Sequence, residues 1–177
     1  MSQLTGYLTK PRSRAFFAHG GYHDIGWTPS SLDIQLLTGP EDFLFQEEET
    51  GGALASVRRS EFKVLDEYGA DRWVRTSVEA GKPLTMKWTI EREFPEGAGF
   101  DYYLTRAGYD PAKPLTRSAF DLQAIARVSH HPEVDGESVT HTVDLPADRK
   151  GPHVIFASAC FFKTPFYLYN VADIDIK

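Results

Sequence analysis

The chain has 177 residues, 41% of them hydrophobic and 13% aromatic, with a formal net charge of −6. That length and apolar content point to one packed domain, residues 1–177, rather than to disorder. The acidic balance leaves no basic excess for phosphates and speaks against nucleic acid as a partner, and no run approaches the roughly eighteen apolar residues of a membrane span.

Taken in chain order, the first residues lack the apolar stretch of a secretory signal. "RAFFAH" (14–19) is a short apolar patch, too short for that role. The chain is therefore expected in the cytoplasm as synthesised, leaving it by lysis or by a route its first residues do not encode. A short helix is expected from Ser30 or Ser31 to just before Pro40, and "FQEEETGG" (45–52) reads as a loop. Period-2 patterns then dominate. In "LTMKWTIE" (84–91), Leu84, Met86, Trp88 and Ile90 share one face, and "FDYYLT" (100–105) alternates in the same way. "TRSAFDLQAIARV" (116–128) passes for a second helix. "SVTHTVDL" (138–145) puts Val139, His141, Val143 and Leu145 on one side. "HVIFASACFF" (153–162) is apolar on both faces, as a central strand would be. "VADIDI" (171–176) alternates again. Turn signals such as Pro95-Glu96-Gly97, Asp135-Gly136 and Lys150-Gly151-Pro152 separate the runs. Short strands at this spacing predict an all-β sandwich.

Few residues point to chemistry by pattern alone. Cys160 is the single cysteine, so it has no internal disulfide partner, and its apolar neighbours suggest a small buried hydrophobe. The histidines are His19, His23, His130, His131, His141 and His153. His19 and His23 have the i,i+4 spacing that suits a metal on a helix, but "HGGYH" holds two glycines and is a poor helix. His130 and His131 precede a proline in an expected loop. His141 and His153 lie on strand patterns, where a satisfied core or edge histidine outweighs a ligand. There is no G-x-S-x-G elbow, no phosphate-binding P-loop and no dinucleotide fingerprint. The carboxylates at Glu47 to Glu49 and at Asp173 and Asp175 follow from loop position and alternation.

Three segments add more: "GYLTKPRSRA" (6–15), "FDYYLTRAGYDPAKPLTRSAFDL" (100–122) and "VTHTVDLPADRKGPHVI" (139–155). With "DRW" (71–73), "LTMKWT" (84–89) and the closing "ADIDI" (172–176), they resemble the bacterial lytic polysaccharide monooxygenases, or chitin-binding type-4 domains, along essentially the whole chain. The resemblance implies an immunoglobulin- or fibronectin-III-like β-sandwich with long loops. It also implies a copper ion held by a histidine brace: the amine and ring of an N-terminal His, plus a second His. Three nitrogen donors suit copper. Carried over by position, the second brace His is His141 and the apolar axial residue is Phe166. The first brace His falls on Thr5, which has no imidazole. The flat substrate face would include Trp27 and Asp33, from "WTPSSLD" (27–33).

From this follow three expectations. The first is a non-catalytic member of the fold that binds a chitin-like polysaccharide, or a protein partner, through a face with Trp27, Asp33, His141 and Phe166, and needs no cofactor. The second is a copper-dependent monooxygenase with an atypical site, in which His141 is what is left of the brace. The third is a toxin-like or interaction protein acting on chitin-containing hosts. Thr5 favours the first.

Overall fold

A computed structural model of the protein describes residues 6–20, 37–41, 43–45, 51–90, 97–130, 138–161 and 166–177. Nine strands in two sheets carry the described fold. They are β1 (Gly6–Lys10), β2 (Thr38–Pro40), β3 (Thr76–Val78), β4 (Pro83–Ile90), β5 (Ala98–Leu104), β6 (Ala126–His130), β7 (Ser138–Asp144), β8 (Gly151–Phe161) and β9 (Phe166–Ile176). One sheet is antiparallel, in the order β1-β4-β7. The other runs β2-β9-β8-β5-β6, with β3 laid parallel against β9. One edge of β9 is thus divided: β2 covers Phe166 to Leu168, and β3 covers Ile174 to Ile176.

Alternation sets the inner layer. Met86, Trp88 and Ile90 of β4, Val139 and Val143 of β7, and Phe100, Tyr102 and Leu104 of β5 are all buried between the sheets. At about 25 cal/mol per Å² of apolar area, each large side chain here contributes about 2–3 kcal/mol. The reading of 153–162 as a central strand is explained by a second apolar layer. Ile155, Ala157 and Ala159 face the other sheet, while Val154 and Phe156 face outward. There they meet Phe17, Leu44, Leu54, Phe62 and Trp73, supplied by the segments between β1 and β3.

That outer layer is clamped by an ion pair. Arg14 is buried and grips Asp173 with two bonds, Nε to Oδ2 at 2.8 Å and Nη2 to Oδ1 at 3.0 Å. Its Nη1 donates to the Leu65 carbonyl at 2.9 Å, and its guanidinium lies 5.0 Å from the Trp73 ring. Burial pulls the Arg14 pKa down, but the charge and hydrogen bonds of Asp173 outweigh that, and the net shift is upward.

Two sequence readings are corrected. "TRSAFDLQAIARV" is not a helix: it forms a 3-10 turn at Arg117–Ala119 and then enters β6. Pairing with β5 wins over local helix propensity, and Ala126 and Val128 pack against the core while Arg127 points outward. The expected helix before Pro40 lies mostly outside the described residues, and its last residues, Thr38 and Gly39, belong to strand β2. The apolar patch at 14–19 is a short helix, α1 (Arg14–Gly20). Ser13 caps it, its Oγ accepting from the Phe16 amide at 3.0 Å. A further 3-10 helix runs over Ser60–Asp66.

Candidate functional site

One end of the sandwich gathers the starts and ends of six strands. Gly6 opens β1 opposite Ile90, the last residue of β4. Ala98 opens β5 opposite Phe161, the last residue of β8. Phe166 opens β9 opposite Pro40, the last residue of β2. Only a glycine fits at position 6, because a Cβ there would sit 2.6 Å from the Thr89 carbonyl oxygen.

Asn170 holds this end together. Its Oδ1 accepts from the buried Leu8 amide at 3.0 Å, and its Nδ2 donates to the Tyr169 carbonyl at 2.7 Å. A side chain of β9 thereby replaces the backbone partner that β1 lacks in the opposite sheet.

The outer rim at this end is aromatic and acidic. Tyr167 donates to Glu41 Oε1 at 2.9 Å and stacks on Tyr169, with centroids 6.2 Å apart and planes 15° from parallel. The nearby Cys160, burial and Glu41 raise the Tyr167 phenol's pKa. Cys160 is half-buried rather than the buried hydrophobe expected.

His141 lies elsewhere. It sits in the middle of β7 opposite Met86, with its ring 5.1 Å from Phe100 and 5.5 Å from Tyr102. Its Nε2 is 2.6 Å from the Tyr102 hydroxyl oxygen, which also accepts from Trp88 Nε1 at 2.9 Å. Burial pushes the Tyr102 phenol well above its usual pKa, so it keeps its proton. Trp88 donates to that oxygen, and the hydroxyl and His141 Nε2 share the second hydrogen bond, whose direction follows the imidazole tautomer. Ile90 and Met86 are four residues apart on β4, about 13 Å at the strand rise. His141 and the start of β1 are therefore not brought together.

Of the other candidates, Thr5, Trp27, Asp33, His23 and His131 lie outside the described residues. Phe166 is described by its backbone, at the mouth of β9, and its side chain is outside the description, as are those of His19 and His130. His153 is buried, and its Nδ1 is 2.8 Å from Thr105 Oγ1. Tyr102, Asn170 and the Tyr167–Glu41 pair were not singled out by sequence. Only Tyr102 left a signal there: its inward parity in "FDYYLT" demands a buried partner for its hydroxyl.

Comparison with known proteins agrees along the whole chain. The family described as "Lytic polysaccharide mono-oxygenase, cellulose-degrading" matches residues 6–174. A lytic chitin monooxygenase of Enterococcus faecalis is 34% identical over all of this chain and 88% of its own length. GlcNAc-binding protein A of Yersinia enterocolitica is 31% identical over 96% of this chain, which spans only 34% of that protein. The crystal structure of an AA10 lytic polysaccharide monooxygenase from Photorhabdus luminescens is 28% identical and superposes with a TM-score of 0.81, covering 97% of this chain and 98% of its own. The two-sheet sandwich, its strand pattern and these matches have one conclusion: the chain belongs to the lytic polysaccharide mono-oxygenase family.

Proposed function

We propose that this protein binds a chitin-like polysaccharide at the end of the sandwich where Gly6 and Phe166 lie, and that it does so without the copper chemistry of its family. Chitin-type binding draws its support from the relatives, one named for chitin and one for N-acetylglucosamine.

The family uses copper, so the donor set has to be weighed. The residue before Gly6 is Thr5, and an alcohol is a far weaker copper donor than an imidazole. His141 has Nε2 engaged by Tyr102 and stands about 13 Å along the sheet from the Gly6 register. These residues do not fit a histidine brace, and no reaction step is derived through copper. The single observation that carries the reading is this separation of His141 from the start of β1.

A second reading has one specific support, the 34% identity to a lytic chitin monooxygenase along the full chain. In that reading the protein is a copper monooxygenase whose ligands come from other residues. Incubation of the protein with chitin, Cu(II) and a reductant separates the two. Mass spectrometry is expected to show no oxidised chito-oligosaccharides, and their release would establish the second reading.

A further inference from the structure

A groove of about 530 Å³ lies away from the Gly6 end, between the turn that joins β1 to α1, residues 74–76, and the start of β4. Lys10 and Arg12 line one wall and Arg75 another, and among the described residues no carboxylate lines it. Lys87 stands directly opposite Lys10 in the β1–β4 pairing. Like charges placed opposite one another across two strands destabilise the pairing. Lys10, Lys87 and Arg75 form no ion pair among the described residues, whereas Arg14, Arg59, Arg72, Arg106, Arg127 and Arg149 all do. In a chain of net charge −6, the described lining of this groove is basic.

The groove is not purely polar. Val74 is 46% exposed, Leu84 is half-buried, and both line it with Phe17 buried beside them. Its cations come from separate walls rather than converging on one point, which suits repeated anions along a chain better than a single small anion. Nucleic acid fits less well, because single-strand binders offer exposed aromatic platforms for bases, and the groove's aromatic ring, Phe17, is only 2% exposed. Sugar rings carrying acid groups present both features, an apolar ring face and a regularly placed anion.

We propose that this groove binds an anionic polysaccharide, a glycan bearing uronate or sulfate groups. The net charge of the protein does not forbid this, because distant repulsion is screened beyond about 10 Å at 0.1 M salt while contact pairs persist. This site is separate from the polysaccharide end described above and does not depend on it.

The test is titration calorimetry of the whole protein with polygalacturonate and with heparin. Each should bind at low salt and lose affinity steeply as salt rises. Lys10→Gln, Arg75→Gln and Lys87→Gln should each weaken binding roughly threefold and the triple variant roughly thirtyfold, the scale of rim ion pairs. Lys113→Gln, at an exposed lysine that does not line the groove, should change nothing. Lys87→Gln should also raise the unfolding midpoint, by relieving Lys10, which shows that the variant is folded. The proposal is overturned if wild type binds neither polyanion at low salt, or if the triple variant binds like wild type. It is equally overturned if a single-stranded oligonucleotide binds as tightly, or if chitin displaces the polyanion.

Discussion

The hydroxyl of Tyr102 lies 2.6 Å from Nε2 of His141 and takes the indole N–H of Trp88 at 2.9 Å. Three polar side chains from three strands thereby satisfy one another between the two sheets, where any one left alone would be costly. Tyr102 is the centre of the set. Tyr102→Phe removes the hydroxyl that meets both the Trp88 N–H and His141 Nε2 and is expected to cost about 2–3 kcal/mol, the scale of lost buried hydrogen bonds. His141→Phe leaves Tyr102 with Trp88 and is expected to cost about 1 kcal/mol. Urea unfolding of both variants checks the order, and a larger loss for His141→Phe would contradict it.

The Arg14–Asp173 pair gives a second prediction. Asp173→Ala strands a buried guanidinium and is expected to cost about 3–5 kcal/mol. Arg14→Met with Asp173→Leu removes both charges and should recover most of that loss. Thermal unfolding of the single and double variants measures this, and a double variant as unstable as the single would refute it.

The state of His153 makes stability depend on pH. Burial is the main cause of its lowered pKa and nearby Arg149 adds to it, against hydrogen bonds involving Lys150 and Thr105. The folded protein therefore resists protonating His153, while the unfolded chain takes a proton near pH 6.5. Stability from this group is fully present above pH 6.5 and falls as pH drops from there toward the lowered folded value. His153→Gln should flatten the slope of unfolding free energy below about pH 6.5. An unchanged slope would assign the pH dependence to other groups.

Asn170 ties the start of β1 to the opposite sheet, so it acts on the proposed polysaccharide end without standing on its surface. Asn170→Ala leaves the buried Leu8 amide without its acceptor, at about 1–3 kcal/mol. Faster hydrogen exchange at Leu8, together with weaker chitin retention, is the expected outcome. Normal retention with a fast-exchanging Leu8 would show that the β1 end does not serve binding.

Much of the fold was legible. The alternation of Met86, Trp88 and Ile90, and the double-faced apolar run around Phe156, state the burial of β4 and β8 directly. The helix expected over 116–128 misled because Ala126 and Val128 satisfy a helical as well as a strand period, and only pairing with β5 decides between them. The site was less legible for a different reason. His141 alternates with valines, which states that it faces inward, and the structure agrees; which group meets its Nε2 depends on Tyr102, 39 residues away. Asn170 and Leu8 are 162 residues apart, and no local pattern encodes such a bond.

The central claim, polysaccharide binding without copper, is tested most directly by retention on chitin measured once with a strong chelator and once with added Cu(II). The account predicts that the protein sediments with chitin to the same extent in both. No sedimentation in either condition, or sedimentation only with copper, would contradict it.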